Sequence, residues 1–424
     1  MKNLFITGIL FIAALGAGAQ DYNSAKKLMD KNDIMGAKTQ VDALLAAKPD
    51  NVEALYLKGR VYEAIAKDEK LRSSVPDAAS QAFDALKKAY AKSDASNELK
   101  LMKITSEAKF YEPLFGLYSD FYSIGQAAFK NGLASQKPSD FEISMNDFIN
   151  TENVGKYVIA EKIGVLPELD TAVVLNIGQT AIYAQKEDIS VAYFKRLADG
   201  NVSLHGYELP YEWLTQYYFD KKQYDNFKTY ANKGKQYFPQ DPFFNLMLSD
   251  YFEKEKDDVN MAKNSEELIS KFPDSSNYNL YYASFLLNQY LKDTSSAHRQ
   301  VLKSKFEAQI QPVLKKDPTS INGNGLYGQY YFIIAADYQS DAKAQKTPKA
   351  KEDKNKLARE YSTKAIPYLE AAVTSYEATH LKSDKSKYKT IVNHLIEIYK
   401  YLGQADKAKT YQQKYDTAES KFNS

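Results

Sequence analysis

Two distant segments of the chain read almost alike. KQYFPQDPFFN occupies 235–245 and ISKFPDSSNYN occupies 269–279, which sets Pro239 and Pro273 34 residues apart. A fixed period of this length means a small unit repeated, too small to bury its own apolar face and forced to stack on its neighbours. Between such breaks, Ala, Leu, Lys, Glu, Gln and Tyr recur at helical spacing, and strand signals are scarce. The expected unit is therefore a pair of helices closed by a proline-containing turn.

The positions inside the unit repeat as well. After Pro49, Leu55, Gly59 and Tyr62 suit a first helix, A, while Ala37, Val41 and Leu44 before it suit the second helix, B, of the preceding unit. The same A pattern returns as Phe121, Ile124, Gly125 and Ala128, as Val174, Ile177, Gly178 and Ala181, and as Tyr211, Leu214 and Tyr218. B patterns return as Phe194 and Leu197, as Phe227, Ala231 and Gly234, and as Ala365, Leu369 and Ala372, with a last pair carried by Val392, Leu395, Tyr399 and Ala408. A small residue recurs where two helices have to approach closely.

This pattern resembles the tetratricopeptide repeat family over nearly the whole mature chain, in about nine degenerate units whose bulky first position is never Trp. The resemblance implies an all-α, superhelical solenoid of about nine antiparallel helix pairs, with A helices lining a concave face. The expected organisation is a signal peptide at 1–19, N-terminal repeats at 20–93, and an irregular helical segment with one degenerate repeat at 94–170. Central repeats follow at 171–318 and C-terminal repeats at 319–424. Insertions are expected within pairs near 67–75, 132–150, 288–300 and 339–358, the last of them charged.

The opening MKNLFITGILFIAALGAGAQD pairs Lys2 with an apolar run and the small residues Ala17, Gly18 and Ala19. That is the form of a secretory leader cleaved before Gln20. No Cys is present, so neither a lipid-modified cysteine nor a disulfide is available. An exported, most simply periplasmic, bacterial protein is expected, with no membrane insertion after cleavage. A net charge of +2 provides no general attraction for nucleic acid or anionic lipid.

One stretch suggests chemistry. In NGNGLYGQYY, residues 322–331, Gly323, Gly325 and Gly328 spell GxGxxG, the spacing of dinucleotide-binding turns. No strand leads into it; FEAQIQPVLKKDPTSI reads as helix ending at Pro318, so Gly328 is expected to pack between helices while Gly323 and Gly325 are expected to be turn residues that open one. The four histidines, His205, His298, His380 and His394, are never three or four apart, and Ser24 and Lys27 form an SxxK spacing that helix-face coincidence explains. The run AKAQKTPKAKEDKNK, 342–356, reads as a solvated insertion. No catalytic constellation, metal site or cofactor is expected.

A binding surface is. The residue after the small A position should face the groove, and it reads Arg60, Gln126, Gln179, Gln216, Asp250, Ser284 and Gln329. Four residues earlier stand Tyr56, Tyr122, Leu175, Glu212, Leu246, Leu280 and Gly325. Glutamine both donates and accepts, so such a row can follow the backbone of an extended peptide between side-chain pockets. The corresponding column in chaperone-tail adaptors of the family is a Lys, Arg and Asn clamp, from which this one departs. The expected function is a non-catalytic scaffold for a protein or peptide of the cell envelope. The alternative is a glycan-binding accessory protein that stacks sugars on some of its 34 Tyr and 21 Phe side chains.

Overall fold

The computed structural model describes residues 22–379 and 381–422. They divide into two compact units, one ending at Phe238 and the other beginning at Pro239. The leader expected at 1–19 lies outside the described residues, as does His380.

In the first unit, α1 (Tyr22–Asp30) pairs with α2 (Ile34–Ala47), and α3 (Val52–Lys67) with α5 (Ala78–Ala91) across the short α4 (Glu69–Ser74). Then α6 (Asn97–Thr105) leads into α7 (Glu107–Ser135), which pairs with α8 (Pro138–Ala160); α9 (Thr171–Tyr183) pairs with α10 (Glu187–Asp199), and α11 (Glu208–Asp220) with α12 (Tyr224–Tyr237). The second unit pairs α13 (Phe243–Glu255) with α14 (Asp258–Lys271), α15 (Ser276–Lys292) with α16 (Ser296–Lys316), and α17 (Ile321–Ala344) with α18 (Pro348–Thr379). It closes with α19 (Lys385–Tyr401) on α20 (Ala405–Asp416) and the one-turn α21 (Ala418–Lys421). Among the described residues this is an all-α fold of stacked antiparallel helix pairs, five in the first unit and four in the second, without a strand.

The small A positions close these pairs. A Cβ built on Gly59 would lie 2.4 Å from the Leu86 side chain, on Gly178 2.4 Å from Phe194, and on Gly328 2.5 Å from Leu369. In each pair a B-helix side chain occupies the space a larger A-helix residue would need. The absent Trp is explained in the second unit by Asn279 and Asn324. Both are buried and donate to the carbonyls of Pro273 and Pro318 in the preceding turn, at 3.3 and 2.8 Å, so an amide ties the inter-pair loop where a bulky ring would merely fill it.

Five of the turns inside pairs share one geometry. Asn32, Gln185, Lys222, Lys256 and Gly403 all have positive φ, 63°, 58°, 58°, 55° and 73°. The amide after each reaches back to the helix: Asp33 N to Leu28 O, Lys186 N to Ala181 O, Gln223 N to Tyr218 O, Asp257 N to Phe252 O and Gln404 N to Tyr399 O, all at 2.8–2.9 Å. This is the Schellman closure, which satisfies the orphan carbonyls at a helix C-terminus.

Several expected insertions are helical. Residues 132–150 continue α7 and begin α8, and the segment at 94–118 holds α6 and the start of the 29-residue α7. The charged stretch at 339–358 is mostly exposed, but it is the end of α17 and the first turns of α18 and not an insertion without regular structure. Ala and Lys are strong helix formers, Ala342 and Ala358 are buried, and Lys354 bridges to Asp341 at 3.1 Å. Gly323 and Gly325 likewise lie inside α17, whose start is capped by the Ser320 hydroxyl accepting from Gly323 N, so they are not turn residues.

The tyrosine excess has a structural cause. Phenols on one helix donate to carboxylates on another: Tyr62 to Asp42 at 2.6 Å, Tyr193 to Glu152 at 2.8 Å, Tyr282 to Glu266 at 2.8 Å, Tyr290 to Asp337 at 2.6 Å and Tyr330 to Glu307 at 2.7 Å. Tyr118 does the same to Asp170. Burial first, and then the carboxylate, pushes these phenols above their ordinary titration range. Each ring fills core volume while its hydroxyl fixes the neighbouring helix.

Two carboxyls lack such support. Asp120 on α7 is pushed up to about 6 by burial, against the pull of Lys67 and with Glu63 adding repulsion; Asp147 on α8 is pushed up to about 7 by burial, with Arg72 opposing. An acid whose folded pKa is raised lends stability fully below its unfolded value near 4, and that stability is lost as pH rises through the folded value. Asp147→Asn is therefore expected to stabilise the first unit by about 2 kcal/mol at pH 8, a gain that disappears by about pH 4. Urea midpoints at the two pH values measure it; an equal shift at both would show that ionisation of Asp147 is not the cause.

Candidate ligand groove

Three successive A helices of the second unit enclose a cavity of about 620 Å³. From α15 it is lined by Asn277, Leu280, Tyr281 and Ser284, and from α17 by Asn322, Gly325, Leu326 and Gln329. Each quartet falls at i, i+3, i+4 and i+7, one face of a helix, and both occupy the same register relative to the small residues Ala283 and Gly328. The third wall is α19, through Ser386, Lys387, Thr390 and Ile391, and Tyr376 at the end of α18 completes the lining. Sequence columns had placed Leu280, Ser284, Gly325 and Gln329 toward a groove, and the structure brings all four to this cavity.

The lining is mixed. Leu280, Leu326 and Ile391 are apolar, the three amides and three hydroxyl-bearing Ser and Thr residues offer donors and acceptors, and Lys387 is the one charged side chain among the described residues that line it. Burial, reinforced by the charges of Asp250 and Glu253 on α13, pushes the Tyr281 phenol up to about 12, and its hydroxyl is buried on the α13 side rather than offered to a ligand. The expected groove residue Asp250 thus acts on the cavity's Tyr281, and its own carboxyl is raised by burial and by Glu253.

The first unit has a smaller cavity, about 210 Å³, lined by both Gln126 of α7 and Gln179 of α9. Phe129 and Phe148 supply aromatic wall, and Lys130, Asn176 and Thr180 the remaining polar lining. The half-buried Tyr122 stands beside it, accepting from the Asn176 amide at 3.1 Å and meeting the Phe148 ring edge-on at 5.4 Å between centroids.

Other column members lie elsewhere. Tyr56 is a core residue, not a groove residue: it is 3% exposed, its ring stacks on Phe110, and its hydroxyl donates to the Phe110 carbonyl at 3.1 Å. The cause is the ring cluster around it, Phe110 of α7 on one side and Tyr90 of α5 on another. Arg60, half-buried on α3, acts on the phenols of Tyr22 and Tyr56. Gln216 is exposed and donates to Asp220 on its own helix at 2.9 Å.

The positions missed by sequence reading were Asn277, Tyr281, Asn322 and Leu326, together with the α19 wall. Extending each column by one turn along its helix would have found the first four. Among the described residues no cluster of three or more His, Asp or Glu side chains is arranged to hold a metal ion. His205 meets Glu208, His298 meets Asp293, and His394 stacks on Phe332, burial pushing its imidazole down. No described helix is long and apolar enough to cross a membrane.

Helix pairs closed by small A residues, with grooves lined by A helices, define an all-α helical-repeat fold. No protein-family model matches the chain, and no curated protein matches it. Among solved structures it is similar to a human IFIT1 dimer with m7Gppp-AAAA, at 10% identity over 85% of this chain and 90% of that one, TM-score 0.27. It is likewise similar to yeast Tom70, at 13% identity over 92% and 89% of the two chains, TM-score 0.27. The APC/C hetero-tetramer Cut9-Hcn1 gives 9% identity over 96% of each chain, TM-score 0.25.

Proposed function

We propose that this chain is an exported, non-catalytic scaffold that holds an extended segment of a cell-envelope protein in the grooves of its A helices. The observation that carries this reading is the repetition of one helix face: identically registered quartets on α15 and α17 line a single cavity, and Gln126 and Gln179 both line another. Repeated amides at fixed spacing suit a ligand that is itself periodic, as a peptide backbone is. Because the lining side chains sit on packed helices, ordering costs on binding fall mainly on the partner. Many of the phenols that suggested sugar stacking are turned inward to carboxylates, which removes much of that reading's material.

Crosslinking capture from envelope fractions tests this, using the chain from Gln20 and a variant carrying Gln126→Ala, Gln179→Ala and Gln329→Ala. One defined protein is expected with the unaltered chain and its loss with the variant. Gln216→Ala serves as control, since that amide is engaged on its own helix, and recovery should be unchanged. Equal recovery by all three proteins, or recovery of none, would remove the groove reading and leave glycan binding as the next to test.

A further inference from the structure

Gly325 is an anomaly within α17. Its φ is not positive, so the backbone conformation does not require glycine, and glycine inside a helix is less stable than alanine. Nor does close packing fully account for it. A Cβ at Gly328 would collide with Leu369, whereas a Cβ at Gly325 would meet one atom only, the terminal Cδ1 of Ile391 at 3.0 Å. Gly325 and Ile391 both line the cavity, so that contact lies at its wall. The missing side chain therefore leaves room on the ligand side of the helix.

The surroundings of that room define what enters it. Leu280, Leu326 and Ile391 are its apolar neighbours in the cavity, while Asn277, Asn322 and Gln329 supply amides along the same wall. The whole cavity, about 620 Å³, is far larger than one side chain and can accept main chain as well. Lys387 faces it, and no carboxylate lines it among the described residues.

We infer that Gly325 forms a socket for one aliphatic side chain of an extended peptide held along the α15, α17 and α19 wall, and that Lys387 disfavours lysine or arginine beside that anchor. This rests on the peptide-groove reading above and adds to it the chemistry of the occupant. Burial of the anchor in the socket supplies affinity, the amides hold the neighbouring backbone, and the unbalanced cation supplies selection by repulsion.

Selection of a random heptapeptide phage library on the purified chain from Gln20 tests it. Enriched sequences are expected to share a Leu, Ile or Met at one position and to lack Lys and Arg beside it. A synthetic peptide of the enriched sequence, followed by fluorescence polarisation, should bind Gly325→Leu about tenfold or more weakly. Replacing the peptide's anchor by Ala should cost as much against the unaltered chain and almost nothing against Gly325→Leu, the coupling expected of two groups that share one space. Should Gly325→Leu fail to fold, Gly325→Ala, which suits a helix, narrows the socket and should weaken the same peptide severalfold. Enriched peptides without an aliphatic position, or binding indifferent to both variants, would overturn the socket while leaving the peptide groove standing. No enrichment at all would overturn both.

Discussion

Gly328→Val is expected to destabilise the second unit by about 3 kcal/mol or more. The α17–α18 pair has no slack at this point. A Cβ on Gly328 would lie 2.5 Å from Leu369 Cδ2, 2.6 Å from its Cγ and 3.1 Å from its backbone nitrogen. Leu369 is itself 0% exposed, so its side chain has no open space to swing into, and the backbone contact is relieved only if the two helices separate. Gly325→Ala is the matched comparison, three residues earlier in the same helix. There a Cβ meets only the Ile391 methyl, and the expected change lies between neutral and about 1 kcal/mol of stabilisation. Far-UV circular dichroism in urea reads both variants, and Trp213, the single tryptophan, reports separately on the first unit. If Gly328→Val unfolds at the same urea concentration as the unaltered chain, the close approach of α17 and α18 is not what glycine protects.

The same comparison marks where sequence was legible. Gly59, Gly178 and Gly328 stood out because a small residue at a fixed place in a repeated pattern has one economical cause, a neighbouring helix too near for a side chain. Glutamine and serine columns were legible for a related reason: groove positions on successive A helices escape the core, so polarity persists at the repeat spacing. Tyr56 was misplaced because the column assumes that every A helix leaves the same face open. In the first unit Tyr56 is covered by Phe110 of α7 and Tyr90 of α5. The turns were not legible either. The left-handed residues of the Schellman-closed turns are Asn32, Gln185, Lys222, Lys256 and Gly403, and only the last carries the glycine that marks such a position in sequence. Gln and Lys are held in that conformation by the Schellman bonds around them, a constraint that exists only once the pair has closed. The charged run of 342–356 failed in the opposite direction: its composition looked solvated, and it is solvated, but as helix stabilised by its partner. The α19 wall went unseen because its small-residue position is Val392, so no glycine or alanine marks its register.

Glu370→Leu is expected to cost about 3 kcal/mol, and Glu370→Gln roughly half as much. One oxygen of Glu370 on α18 accepts from two phenols, Tyr399 of α19 at 2.7 Å and Tyr411 of α20 at 2.9 Å. Tyr399 is 0% exposed and Tyr411 half-buried, and burial ahead of the carboxylate holds both phenols above their ordinary range. Leucine in place of Glu370 leaves two hydroxyls desolvated and unpaired, whereas glutamine keeps an acceptor but loses its charge. The decisive background is Tyr399→Phe with Tyr411→Phe. If those phenols are in the core chiefly as donors to this carboxylate, Glu370→Leu should become nearly neutral once both are phenylalanine, and the stability cycle should return a coupling of about 2 kcal/mol. Additive costs would mean that the rings are kept for volume and that their hydroxyls are incidental. A strong coupling would explain the tyrosine-rich composition physically: in a stack of short helix pairs, a ring that also reaches a carboxylate on the next helix fixes rotation and register, which packing of Leu or Phe leaves less sharply determined.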